Sequence, residues 1–378
     1  MKTNMQKAGI LGGGQLGRML LQQAANYPVE TYVLENDPQS PAAHLCHHFI
    51  KGDIRNFHDV YEFGKNLDVL TIEIESVNLQ ALEKLESEGV KVIPRPSAIR
   101  IIKNKIRQKD FYRHNKIPTA PYLVINNREE LAQNLHFLPA VQKLGEGGYD
   151  GRGVQMLRSE ADLPASFDAP SVLEKAVLID KEIAVIIGIN EQGEPAVFPP
   201  VEMVFDPQLN QLDYQLCPAS LPAQTVLDLE ATAKQVVQQF RSPGLFAVEL
   251  FVDVEGQILV NESAPRVHNS GHHTIEANLT SQFDMLWRIL LGYPLGATAT
   301  LQHSAMVNLV GKAGHSGAAR YSGLQDVLSM EGAYVHIYGK EQTKPGRKMG
   351  HITFLGETRE EVSEKAMTAK KLVQVVAS

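Results

Sequence analysis

Asn261-Glu262-Ser263-Ala264-Pro265-Arg266-Val267-His268-Asn269-Ser270-Gly271-His272-His273 gathers a carboxylate, an arginine, three histidines and two asparagines into one short run. Folding alone rarely requires such density. Just upstream, Phe246-Ala247-Val248-Glu249-Leu250-Phe251-Val252 and Gln257-Ile258-Leu259-Val260-Asn261-Glu262 read as two strands, with Asp253-Val254-Glu255-Gly256 as the turn between them. A hairpin centred on Glu255-Gly256 sets Glu249 directly opposite Glu262, with Cβ atoms roughly 4.5–5.5 Å apart. Two facing carboxylates repel unless a cation neutralises them, and a hard divalent ion shared with nucleotide phosphates does this. The competing reading puts both on a solvated face, and residue types alone leave the two open.

Working outward, Leu227 to Phe240 has the pattern of an amphipathic helix feeding the hairpin. Further upstream, Leu138-Pro139-Ala140-Val141-Gln142-Lys143-Leu144 and Val154-Gln155-Met156-Leu157 read as strands joined by Gly145-Glu146-Gly147-Gly148-Tyr149-Asp150-Gly151-Arg152-Gly153. Glycines there permit positive φ and close backbone approach, so the loop suits a cover over phosphates, with Lys143 as a point charge beside it. A mobile surface hairpin explains the glycines but not Tyr149, Asp150 and Arg152 among them. The loop lacks the order of a classical P-loop. Ser171 to Val177 and Lys181 to Ile187 read as two more strands.

The N-terminal stretch reads as strand, glycine turn and helix: Ala8-Gly9-Ile10-Leu11, then Gly12-Gly13-Gly14-Gln15-Leu16-Gly17, then an apolar stripe through Met19, Leu20, Leu21 and Ala24. The spacing Gly12, Gly14, Gly17 matches the dinucleotide fingerprint, with Glu35 where an acidic residue would hold a ribose. An NAD-dependent oxidoreductase is therefore a competing reading, although nothing downstream resembles a hydride-transfer site. Asp68 to Glu75 reads as a strand with Glu73 and Glu75 on one face near its end, where ligands of open α/β sheets gather. Pro94 and Pro96 punctuate the chain, Ser97 is placed to cap a helix through Ile106, and a domain boundary falls near residue 100.

Beyond His273, Ser281 and Asp284 form a capping pattern for a helix whose Phe283, Leu286, Trp287, Leu290 and Leu291 make a core stripe. A last unit of short strands begins near residue 298, with a basic cluster of Lys340, Arg347 and Lys348 suited to a phosphate monoester or to a solvated turn. With 36 basic against 43 acidic side chains in 378 residues, the net charge of −7 disfavours nucleic acid and anionic membrane surfaces as partners. Two cysteines point to a reducing cytoplasm, and no apolar run approaches the ~20 residues of a membrane span.

Taken together, Gly12 to Met19, Gly147 to Gly153, Asn261 to His273 and Pro345-Gly346-Arg347-Lys348-Met349-Gly350-His351 resemble the ATP-grasp enzymes. Among these they are similar to the N5-carboxyaminoimidazole ribonucleotide synthases of purine biosynthesis. The resemblance implies an α/β ATP-grasp fold in three domains: Rossmann-like at 1–100, ATP-grasp with a glycine-rich lid at 101–297, and a small β-rich unit at 298–378. It implies carboxylation of 5-aminoimidazole ribonucleotide with ATP and bicarbonate through carboxyphosphate, with Mg²⁺ (or Mn²⁺) as cofactor, in a homodimer.

By the same resemblance, Lys105 and Lys143 meet the ATP phosphates, and Gly148, Tyr149, Asp150, Gly151, Arg152 and Gly153 fold over the nucleotide. Glu174, Lys175, Ala176 and Val177 form the adenine-contacting linker, and Glu182 holds the ribose. Glu249 and Glu262 ligate the metal, with Asn261 beside them. Gln15, Glu73, Tyr149, Asp150, Arg152, Lys340, Arg347 and Lys348 contact the ribonucleotide, while Arg266, His268 and Asn269 border the reacting centre. The chain departs from the family at Met203 and Phe205, where Asn and His are common, and at Ser76, where Asn is common. A formate-dependent glycinamide ribonucleotide transformylase of the same superfamily is the nearest competing activity.

Overall fold

The computed structural model describes residues 5–148, 153–206 and 211–377. Among these, the first unit is a parallel sheet in the order His48–Lys51, Val29–Glu35, Gln6–Leu11, Val69–Ile72, Lys91–Val92. Chain order reverses at Gln6–Leu11, so a crevice opens where that strand and Val69–Ile72 end, the usual ligand position in an open α/β sheet. The glycine turn and Glu73 sit there. The strand ends at Ile72, short of the expected Glu75, because Glu73 turns inward to accept from the Leu16 amide at 3.2 Å.

The second sheet is antiparallel and runs Ile258–Ala264, Gly244–Asp253, Ile179–Ile189, Val201–Asp206, Gln211–Cys217, His303–Val310, Lys348–Gly356, Ala333–Ile337. The strands after residue 298 therefore divide: Gly317–Ser322, Gln342–Thr343 and Gln374–Ala377 form a small sheet of their own, while the other three join the long one. His303–Val310 pairs with Gln211–Cys217 and extends the one that holds the hairpin. A smaller antiparallel sheet of Tyr122–Ile125, Ser171–Lys175, Ala140–Leu144 and Val154–Leu157 stands over it.

The region after Pro96 departs from expectation. It folds as two helices, Pro96–Ile102 and Lys105–His114, rather than one. Ser97 lies inside the first, which starts after Arg95 with Pro96 in its first turn, a position where the missing N–H costs nothing. Asn104 caps the second, its side chain accepting from the Arg107 amide at 3.0 Å. On this helix Gln108 and Tyr112 grip Ser263 of the hairpin, while Lys105 pairs with Glu262 at the site and Lys109 with Glu174 in the interior.

The helix Gln282–Leu291 forms where the capping pattern places it, with Ser281 accepting from Asp284 N at 3.0 Å. Its Trp287 is fully buried and donates to the Leu20 carbonyl at 2.7 Å, tying the helix Gln15–Ala24 of the first unit to the hairpin's support. That junction fixes the first sheet's crevice against the second sheet's face.

Candidate active site

A cavity of 660 Å³ opens between the two, walled by Gln15, Glu73, Lys105, Gly148, Glu249, Glu262, Arg266, His268, Asn269, Lys340, Arg347 and Lys348. Residues far apart in sequence thus converge on one space. Gly153 lies at the root of the glycine loop, where its carbonyl accepts from the Leu144 amide at 2.9 Å. Tyr149, Asp150, Gly151 and Arg152 lie outside the described residues, so the expected lid and its ribonucleotide contacts have no structural account.

The hairpin supplies the acid pair. Glu249 is the Cα partner of Glu262, as the turn arithmetic expects, but by a different route. The turn closes one residue tighter, pairing Leu250 with Val260, and a bulge at Asn261 restores the register beyond it. A bulge sets two residues against one and swings the extra side chain round. Asn261 consequently joins the same face: its amide donates to Glu249 Oε2 at 3.4 Å and its oxygen accepts from Lys143 Nζ at 2.6 Å. Val260 and Ser263 keep the opposite face, buried against helices.

Charges around this pair are interlocked. Lys105 forms an ion pair with Glu262, and Lys143 lies 3.1 Å from Glu174 Oε1. Burial works to raise the Glu262 carboxyl, yet Lys105 and Lys143 outweigh it and hold it down to about 2. Among the described residues no ammonium pairs with Glu249; burial and then the facing Glu262 push it up to about 8. One carboxylate is satisfied and the other calls for a cation. Among the described residues no cluster of three or more His, Cys, Asp or Glu forms a closed metal cage. Two carboxylates and an amide instead suit an ion that completes its shell with phosphate oxygens and water.

Glu182 lies on the neighbouring strand, on the same sheet face, where burial raises its carboxyl to about 7 against the pull of Lys143. The linker residues divide. The Glu174 carboxylate is 3% exposed and bound between Lys109 and Lys143, so it faces inward rather than toward a base. Lys175 turns its ammonium to the Phe137 and Leu138 carbonyls at 3.1 Å each, and the Ala176 amide donates to the Pro139 carbonyl. Val177 follows in the half-buried connection to Ile179–Ile189.

From the first unit, Glu73 is buried against the glycine turn. A Cβ on Gly14 would come within 2.4 Å of Glu73 Oε1, and Gly12 adopts φ +107°, so both glycines serve this close approach. Glu35 accepts from the Gly13 amide at 3.0 Å, which folds it onto the turn rather than out toward a ribose. Burial raises the Glu73 carboxyl while Arg266 pulls it down. Arg266 itself pairs with Glu75 at 2.9 Å, bridging the two units across the cavity.

His268 Nε2 stands 3.6 Å from Glu249 Oε1, and its Nδ1 is 2.9 Å from Ser270 Oγ. Behind it, Gln282 accepts from the His268 amide at 2.8 Å and donates to the His268 carbonyl at 2.8 Å and to His272 Nδ1 at 3.1 Å. Gln282 is a clamp that sequence reading missed; its place as first residue after a capping serine hides it. Asn269 shows both amide atoms buried without a partner among the described residues, beside the cavity. Such a group needs a ligand with a donor and an acceptor. Lys340 donates to the Lys348 carbonyl at 2.7 Å and Arg347 to the Gln342 carbonyl at 2.6 Å, which gathers the basic cluster at the far rim.

Comparison with known proteins matches all three parts. Residues 5–103 fit a ribonucleotide synthetase preATP-grasp domain, 110–283 an ATP-grasp domain, and 304–365 a phosphoribosylaminoimidazole carboxylase C-terminal domain. An N5-carboxyaminoimidazole ribonucleotide synthase from Synechococcus elongatus is 34% identical, over 98% of this chain and 95% of its own. The chain belongs to this family. The Vigna aconitifolia chloroplastic phosphoribosylaminoimidazole carboxylase is 35% identical over 93% of this chain, which spans 64% of that longer protein. The synthetase of Thermotoga maritima superposes with a TM-score of 0.90 at 38% identity, covering 99% of this chain and 100% of that one. The Aspergillus clavatus synthase in complex with ADP and 5-aminoimidazole ribonucleotide gives 0.88 at 34% identity, covering 97% and 98%. The ATP-grasp fold and the ligase class expected from the sequence are borne out.

Proposed function

We propose that this cavity carries out the family's reaction, carboxylating the exocyclic amine of 5-aminoimidazole ribonucleotide at the expense of ATP and bicarbonate. The observation that carries it is the bulged hairpin, which turns Glu249, Asn261 and Glu262 to one face with Lys105 and Lys143 beside them. Glu249 and Glu262 fit Mg²⁺, which would neutralise charge on the phosphoryl group in transfer. Lys105 and Lys143 act in the same sense, since phosphoryl transfer depends on positioning and on countercharge. Bicarbonate is a poor electrophile; phosphorylation to carboxyphosphate supplies a leaving group.

The chain's own residues then set the acceptor in place. Lys340, Arg347 and Lys348 hold the ribonucleotide phosphate at the far rim, and Gln15 and Glu73 line its base. Arg266, oriented by Glu75, faces the carboxyphosphate; His268 and Asn269 border the amine. The glycine loop from 148 to 153 excludes water, which would hydrolyse the mixed anhydride. Glu182 takes the ribose of ATP, and the linker from Glu174 to Val177 contributes its main chain to adenine. We assign the units as 1–100, 101–297 and 298–378, a cytoplasmic setting, and a homodimeric assembly.

The test is ADP release with ATP, Mg²⁺ and bicarbonate, with and without 5-aminoimidazole ribonucleotide, on the parent and on Glu262→Gln. Ribonucleotide-stimulated release in the parent, reduced at least about 100-fold by Glu262→Gln, is the expected result, since weakening the hold on the Mg²⁺ that would offset charge in phosphoryl transfer costs several kcal/mol. Stimulation by glycinamide ribonucleotide with formate instead would move the assignment to the sister transformylase.

A further inference from the structure

The helix Lys105–His114 carries a second cation that the proposed chemistry leaves unused. Lys109 stands one turn beyond Lys105 on the same helix face and is 2% exposed. Its ammonium meets three acceptors: Glu174 Oε2 at 2.9 Å, Thr119 Oγ1 at 2.7 Å and the Val260 carbonyl at 3.5 Å. Lysines this deep are rare unless paired. Glu174 holds Lys109 with one oxygen and presents the other to Lys143 at 3.1 Å. A single buried carboxylate is therefore shared by two lysines, one sealed in the interior and one facing Asn261 and the acid pair.

Charge arithmetic gives this sharing a consequence. Two ammonium groups against one carboxylate leave one net positive charge, directed to the side where Lys143 stands. Were Lys109 absent, Glu174 would cancel Lys143 at close range in a poorly screened interior, and little field would reach a nucleotide. Lys105 is paired with Glu262, so it does not take over the neutralisation of Glu174. Burial lowers the Lys109 ammonium to about 8, with Glu174 pulling the other way, so Lys109 is mainly charged at neutral pH. Burial likewise opposes ionisation of Glu174, but Lys143 and Lys109 hold its carboxyl below the ordinary range.

We propose that Lys109 is a positioning residue for the nucleotide: by neutralising Glu174 from the interior, it leaves the charge of Lys143 available to the triphosphate at an angle Glu174 fixes. This rests on the reading above in which Lys143 meets the ATP phosphates. It makes Lys109 matter to phosphate affinity without touching ATP, and it makes that influence pass through Glu174 alone.

The experiment is equilibrium binding of MgATP and of adenosine to the parent, Lys109→Met, Glu174→Gln and the double variant. Lys109→Met is expected to weaken ATP on the order of 10-fold, the scale of one charge-assisted hydrogen bond, while adenosine changes less than about twofold. In the Glu174→Gln background, adding Lys109→Met is expected to change ATP affinity by less than about threefold, because no buried carboxylate is left to capture Lys143. That second comparison avoids a buried unpaired carboxylate and keeps the test valid if Lys109→Met alone does not fold. Equal losses for ATP and adenosine, or a full 10-fold loss in the Glu174→Gln background, would overturn the inference. A parent that binds ATP no more tightly than adenosine would instead remove the assignment of Lys143 to the phosphates, and this inference with it.

Discussion

At the scale of single residues, Phe205 is the departure with the clearest consequence. Phe205 and Met203 both line the cavity, on a strand two places from the hairpin, at the positions where the resemblance read from the sequence implies His and Asn. If ATP binds along this edge as proposed, an apolar ring there leaves a polar contact to it unmade. Phe205→His is expected to lower the KM for ATP about fivefold, the equivalent of about 1 kcal/mol for one hydrogen bond, with kcat changed little. Steady-state ADP release at saturating ribonucleotide measures it; an unchanged KM would mean that the cavity edge at Phe205 does not meet ATP. Residue identities also show what the sequence disclosed. The hairpin and its facing carboxylates were legible from period-two alternation and a glycine turn, but the register assumed at the turn was one residue off, and Glu249 meets Glu262 because the bulge cancels that offset. The bulge at Asn261 was not legible, since an inserted residue has no compositional sign, and it reveals itself only through Val260 and Ser263 sharing one buried face. Lys109 escaped for a related reason: a lysine in a helix is by default solvated, and only its spacing of four from Lys105 hinted at a common face.

At the scale of elements, the helix Lys105–His114 is a platform whose orientation matters more than its length. It presents Lys105 and Lys109 to the acid residues and clamps Ser263 from behind, and its start is tied to the glycine loop. The Lys105 amide donates to the Gly145 carbonyl at 2.8 Å, and the Asn104 side chain donates to Glu146 at 3.0 Å while capping the helix. Asn104→Ala removes the cap and the side-chain half of the tether, leaving the Lys105 amide on Gly145. We expect about 1 kcal/mol of lost stability from the cap, read from urea denaturation, together with a KM for ATP raised several-fold. A stability loss without any change in KM would show that the tether does not position the loop. Local signals such as Ser281 with Asp284, or the glycine turn of the first strand, found their elements because capping and tight turns depend on a few neighbouring residues. The split at Asn104 was missed because the apolar spacing runs on across it. The union of His303–Val310 with Gln211–Cys217 was beyond reach for a different reason: which strand edges meet is decided by tertiary packing between segments nearly a hundred positions apart in the chain.

At the scale of the whole molecule, two sets of buried titratable groups oppose one another as pH falls. Glu249 and Glu182, raised to about 8 and about 7 chiefly by burial, bind protons more readily folded than unfolded, so acidification through those values favours the native state. The histidines behind the site act the other way. Burial lowers His273 to about 4, and it places His272 and His351 well below their ordinary range. His272 and His351 lie against each other at 4.8 Å, and His351 stacks on His336 at 4.4 Å, which packs the run after Arg266 onto the strands of the C-terminal unit. An unfolded chain binds protons at these histidines below about pH 6.5 while the native chain does not, so stability rises with pH across that window and is lost as pH falls through it. For His273 alone the loss from pH 7 to pH 5 is about 2 kcal/mol. Comparing urea denaturation of the parent and His273→Gln at both pH values cancels the carboxylate contribution common to both chains. The parent's decline on acidification is expected to exceed the variant's by that amount; equal declines would mean that His273 is protonated within the fold. Because these imidazoles join the two halves of the long sheet, acid weakens first the seam on which the basic rim of Lys340, Arg347 and Lys348 is held across from the acid pair.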